Sequence, residues 1–168
     1  MAVLPIKVLG DAVLRQKAKR VSQVDGSIRR LVEDMIDTMR DAGGVGLAAP
    51  QVGVPLRVVV IAIPEEEEVI ALINPEIVKR SGERRLAEGC LSVPGYWAEV
   101  TRSLSVTAKG RDLQGRQIRI KAEDDILAQA LEHELDHING VLYIDHLESL
   151  DELRETATAP EEEVSAEL

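Results

Sequence analysis

The chain has 168 residues, a formal net charge of −10, one cysteine, and 2% aromatic residues with no phenylalanine. That length suffices to bury a core, a lone thiol excludes an internal disulfide, and the carboxylate excess with few aromatic rings argues against direct nucleic-acid binding. No stretch approaches the roughly 20 apolar residues of a membrane span, so the composition leads to an expectation of a soluble, cytoplasmic protein in a reducing compartment.

The opening MAVLPIKVLG lacks the charged start, long apolar run and small-residue cleavage site of a secretory signal. From Gly26 to Ala42, Ile28, Leu31, Val32, Met35, Ile36 and Met39 recur at spacings of three and four, which predicts an amphipathic helix ending at Gly43-Gly44. GGVGLAAPQVGVP then reads as a Gly-rich loop, without the Lys-Ser/Thr ending of a phosphate-binding loop. LRVVVIAI and VIALIN follow as strands, separated by PEEEE. AEGCLSVPG, Ala87 to Gly95, reads as a tight turn holding the only cysteine, and residues 103–122 as a hairpin around a Gly-flanked loop. A second helix is predicted from Asp124 to Asn139, with Asp124 or Asp125 as its cap and Asn139-Gly140 as its end.

From Asp151 onward the chain carries seven acids against one arginine. The expectation is an acidic tail over 151–168, partly helical or disordered, behind a single domain over 1–150. No internal repeat or linker divides that domain. Strands in the middle with helices before and after predict an α+β fold, its mixed or antiparallel strands packed around the helix of the C-terminal half.

The chemistry concentrates on that helix in HELDH, His133 to His137. Histidines four residues apart share one helix face, so both imidazoles reach one cation. Glu134, one residue from the first of them, stands where a general base acts on water without occupying the metal. Two surface histidines on a polar face are the plain alternative, but the chain has only three histidines in all.

A catalytic site of this kind takes three protein ligands and keeps a position open. The extended motif HExxHxxGxxH fails here, because HELDHINGVLY places Tyr143 where the third histidine belongs. His146, Asp145 and Glu148 lie at other spacings, and Cys90 is the soft donor left. Without HELDH, Cys90 would read as core filler.

GVGLAAPQ (Gly44 to Gln51), EGCLS (Glu88 to Ser92) and HELDH, in this order, make a chain that resembles peptide deformylases over nearly its whole length. The resemblance implies hydrolysis of the N-formyl group from the N-terminal formylmethionine of nascent polypeptides, with release of formate. It implies one divalent metal ion held by Cys90, His133 and His137, natively Fe(II), with Zn or Ni as alternatives. Glu134 would be the acid/base, and Gln51 with the Leu91 backbone N–H would hold the oxyanion. The Gly89 position, lacking a side chain, lets backbone and metal come close. Val45 and Gly46 offer backbone groups to an extended peptide, and Val45, Leu91 and the helix around Ala130 frame a pocket for the methionine side chain.

Three features stand apart from the pattern. Glu132 precedes the first histidine where the family commonly has Gln. Glu88 pairs with Arg102 beneath the site or is a solvated acid, and the spacing leaves both open. The acidic tail speaks against docking on ribosomal RNA through a basic C-terminal helix, so any ribosome association would be transient. Two other functions compete: a zinc peptidase of internal bonds with a different third ligand, and a non-catalytic metal module. The missing third histidine weighs against the first, and a closed structural site would give Glu134 and Gln51 no purpose, which weighs against the second.

Overall fold

The computed structural model describes residues 2–156 and Leu168; residues 157–167, most of the predicted acidic tail, lie outside the described residues. Helix α1 (Gly26–Asp41) starts where the Asp25 carboxylate accepts the Ser27 and Ile28 N–H groups, satisfying donors that the first turn leaves free. Ile28, Val32, Met35 and Met39 are buried, while Leu31 and Ile36 of the predicted stripe pack at its margin. The helix ends at Gly43 and Gly44, whose N–H groups return to the Arg40 and Met39 carbonyls.

Strands β1 (Gly46–Ala48), β2 (Val58–Ala62), β3 (Val69–Ser81), β6 (Ser105–Arg111) and β7 (Gln117–Glu123) form one sheet in the order β1-β2-β3-β6-β7. Strands β4 (Arg84–Cys90), β5 (Val93–Arg102) and β8 (Arg154–Glu155) form a second in the order β4-β5-β8. Every pairing within these sheets is antiparallel. The result is the predicted α+β fold.

Four segments differ from their sequence reading. AEGCLSVPG, read as a tight turn, is strand for most of its length: β4 runs to Cys90, β5 starts at Val93, and only Leu91-Ser92 turns. The Gly-rich segment after α1 contains an edge strand, β1, followed by a 3-10 turn over Ala49–Val52. The strand read as VIALIN continues past Pro75 to Ser81, although Asn-Pro is a turn signal. Asn74 has φ 52° at an irregularity in the β3–β6 register, and its side chain exchanges two 2.8 Å hydrogen bonds with the Val21 backbone. Those bonds carry the strand across the break. At the start of the tail, a 3-10 turn (Leu150–Glu152) leads into strand β8, which pairs with Tyr96 and Trp97.

Helix α2 (Ile126–Ile138) is capped by Asp125, which accepts the Ala128 N–H at 2.9 Å, and lies against the five-stranded sheet. It is buried almost all round: Ala128, Ala130, Leu131, Leu135 and Ile138 enter the core, and Gln129, Glu132, His133, Glu134 and His137 are buried with them. Placing so many polar groups inside is costly unless each finds a partner. Gly140 ends the helix at φ 77°, and a Cβ there would stand 2.7 Å from the Arg15 carbonyl oxygen. Among the described residues no helix is long and apolar enough to cross a membrane.

Candidate active site

The fold converges three segments on one point: the turn after β1, the end of β4 and the inner face of α2. His133 and His137 turn their Nε2 atoms to within 3.2 Å of each other, and Cys90 Sγ lies 3.3 Å from His137 Nε2. All three side chains are buried, with their donor atoms within 4.8 Å of one another. Imidazole nitrogens and a thiolate bound tetrahedrally at about 2.1 and 2.3 Å stand roughly 3.4–3.6 Å apart. The donor set therefore fits one first-row divalent cation with little movement.

Charge beneath the site orients the donors. Glu88 is fully buried and accepts from His133 Nδ1 at 2.7 Å, which leaves Nε2 facing the cluster. Arg102 grips the same carboxylate through two hydrogen bonds of 3.0 and 2.6 Å and reaches Asp136 at 2.8 Å. Asp136 in turn meets His146 at 2.8 Å. Of the two readings of Glu88, the buried pair is the observed one. Burial opposes its charge, yet His133 and Arg102 outweigh burial and hold its carboxyl well below the usual range. Burial likewise opposes charge on His133, but Glu88, Cys90 and Glu134 hold its pKa above the ordinary value. Burial and then the positive His133 push His137 well down, so it presents a neutral ring.

Glu134 lies at the centre, fully buried, and neither carboxylate oxygen has a hydrogen-bond partner among the described residues. Burial pushes its pKa up to about 7, helped by Glu88 and opposed by His133. Gly46 of β1 packs directly on this carboxylate. Gln51 is also fully buried; its Oε1 accepts the Ala48 N–H at 2.9 Å. That bond fixes the amide, so Nε2 points to Ser92 Oγ at 3.1 Å and Cys90 Sγ at 3.8 Å.

The other named residues surround this centre. Ala130 and Val45 belong to one buried apolar cluster, and the Val45 carbonyl accepts the Ala62 N–H, tying it to β2. Leu91 is half-buried, and its N–H donates to the Leu168 carbonyl; the Gly89 carbonyl accepts the Leu168 N–H. Glu132, in the departing position, accepts from Ser103 N and Arg80 Nε at 2.6 and 3.1 Å, anchoring α2 to the strands beside it. Sequence reasoning passed over Ser92, whose N–H donates to Cys90 Sγ at 3.4 Å, and the Arg102–Asp136–His146 chain. Ser92 lay two residues from the cysteine, a legible signal; His146 had none, because only folding brings it to Asp136.

A helix carrying HExxH, a cysteine completing its donor set and an α+β fold enclosing both define the class of metal-dependent hydrolases. Residues 3–153 match the family model described as Polypeptide deformylase. A peptide deformylase of Dehalococcoides mccartyi (strain CBDB1) is 55% identical over 168 residues, spanning 100% of this chain and 99% of that protein. The crystal structure of a peptide deformylase from Legionella pneumophila aligns with a TM-score of 0.86 at 48% identity, over 90% of this chain and 89% of that one. That of Ehrlichia chaffeensis in complex with actinonin aligns with a TM-score of 0.86 at 41% identity, over 90% and 92%. The chain belongs to the peptide deformylase family, enzymes that remove the N-formyl group from nascent polypeptides.

Proposed function

We propose that Cys90, His133 and His137 hold one divalent cation, natively Fe(II), and that Glu134 moves the protons of deformylation. The observation that carries this reading is the buried Glu134 carboxylate, free of hydrogen bonds to described residues, beside three converging donors. Mixed imidazole and thiolate donors suit Fe(II), Zn(II) and Ni(II). A cation held there supplies Lewis-acid polarisation and lowers the pKa of water.

Each remaining task falls to a group of this chain. Glu134 accepts the proton of the water that attacks the formyl carbon and hands it to the departing amine nitrogen. A carboxyl with a pKa near neutrality serves both directions of transfer. As charge develops on the formyl oxygen, the Gln51 amide and the Leu91 N–H donate to it, and Ala48 has already fixed the amide's orientation. Gly46 on edge strand β1, Val45 immediately before it and Gly89 on β4 line up the peptide backbone. Val45 and Ala130, which share one buried apolar cluster, together with half-buried Leu91 frame the place for the unbranched methionine side chain.

Residues 1–150 are the catalytic domain and 151–168 an acidic tail. The substrates are N-formylmethionyl peptides met in the cytoplasm, with no more than a transient ribosome contact. Anaerobically purified protein tests the reading: formate release from formyl-Met-Ala-Ser, with stoichiometric iron by elemental analysis, supports it. A preparation that carries its metal yet cleaves internal peptide bonds and leaves the formyl group untouched overturns it.

A further inference from the structure

Leu168 is wholly buried, in the same apolar cluster as Val45, Ala130 and Leu131. Its backbone is held on both sides: its N–H donates to the Gly89 carbonyl at 3.4 Å, and its carbonyl accepts the Leu91 N–H at 3.0 Å. The two bonds straddle Cys90, in the manner by which one residue of an added parallel strand is gripped. The Leu91 N–H is the donor assigned above to the formyl oxygen, so a role for Leu168 at this point rests on that reading.

The sheet puts Leu168 within reach of its own site. Gly89 faces Trp97 across β4 and β5, and Trp97 faces Arg154 across β5 and β8. Two strand spacings of about 4.8 Å place Arg154 roughly 10 Å from Gly89. Leu168 follows Arg154 by 14 residues, a tether that spans up to roughly 45 Å when extended. A short tether holds its end at an effective concentration on the order of millimolar, enough for a single side chain and two hydrogen bonds to compete. Leucine is also close to methionine in volume and unbranched at Cβ, so a pocket that closes on one accepts the other.

We propose that Leu168 is an intramolecular competitor of the substrate. It fills the first side-chain pocket, takes the Gly89 carbonyl and the Leu91 N–H, and departs when an N-formyl peptide enters. Leu168 and the formyl oxygen cannot share the Leu91 N–H, so the competition is felt in KM and not in kcat.

The test compares the 168-residue chain with Leu168→Asp and Leu168→Met, each purified anaerobically with its metal. Formate release from formyl-Met-Ala-Ser gives KM and kcat, and hydrogen exchange reports on the Leu91 amide. Leu168→Asp is expected to lower KM at least threefold at unchanged kcat and to speed Leu91 exchange at least tenfold, while Leu168→Met matches the parent chain. The KM difference is expected to be independent of protein concentration. Equal KM in all three proteins overturns the proposal, and so does a difference that grows with protein concentration, which assigns the contact to a second copy. Should none of them release formate, the catalytic reading fails, and Leu91 exchange decides alone: slow in the parent and fast in Leu168→Asp sustains the occupant, whereas equal rates overturn it.

Discussion

Gly46 and Glu134 meet so closely that a Cβ on the glycine would stand 2.9 Å from the carboxylate carbon, nearer still to one oxygen. The edge strand and the central helix therefore touch through the group that we assign to proton transfer. Gly46→Ala is expected to push that carboxylate aside and lower kcat/KM by about 100-fold, because a displacement of about 1 Å at a reacting group has that effect. Metal content should stay at the parent level, since the three donors lie elsewhere. Parent-like kinetics in the alanine variant would show that Glu134 has room to work from another position.

Glu134→Ala separates binding from chemistry. The variant should retain its metal through Cys90, His133 and His137 while deformylation falls by about 1,000-fold or more, the upper range for a general acid/base. Metal content and rate are to be measured on one batch. Loss of both together would move Glu134 into the coordination shell, and near-normal turnover would end its catalytic assignment.

Cys90→Ala removes the one thiolate and leaves two imidazoles. Affinity for the cation is expected to drop by at least 100-fold in competition with a chromophoric chelator. Unchanged affinity would identify a different third donor.

Glu88 makes a prediction about acid. Its carboxyl is held below the ordinary value of 4.5 in the folded protein, so its stabilisation is complete above that pH and is lost as the pH falls through the folded value. Below 4.5 the unfolded chain takes up a proton that folded Glu88 refuses, which favours unfolding by about 1.4 kcal/mol per pH unit. Glu88→Gln lacks this slope. Urea unfolding of the metal-free proteins should show the advantage of the parent over Glu88→Gln shrinking by about 2 kcal/mol between pH 5 and pH 3. An advantage equal at both pH values would mean that Arg102 and His133 do not keep the carboxylate ionised.

Local pattern determined much of this protein. Residues three and four apart on a helix must share a face, so HELDH alone put His133 and His137 together, and the apolar stripe from Ile28 to Met39 marked a helix with one buried side. Cys90 was legible by elimination, because one soft donor was left. Contacts between distant segments were not legible, since pairing geometry depends on how sheets and helices stack. Asn74 continues β3 through a turn signal because folding brings Val21 to it. Glu88 became a buried anion only when α2 supplied His133 and β5 supplied Arg102. Gly46 read as loop until β2 paired with it and α2 closed on its missing side chain. Leu168 carried no signal at all, being one leucine after a run of acids; only the cleft formed by β4 and the core around Ala130 gave its side chain a place to leave water and its backbone two partners.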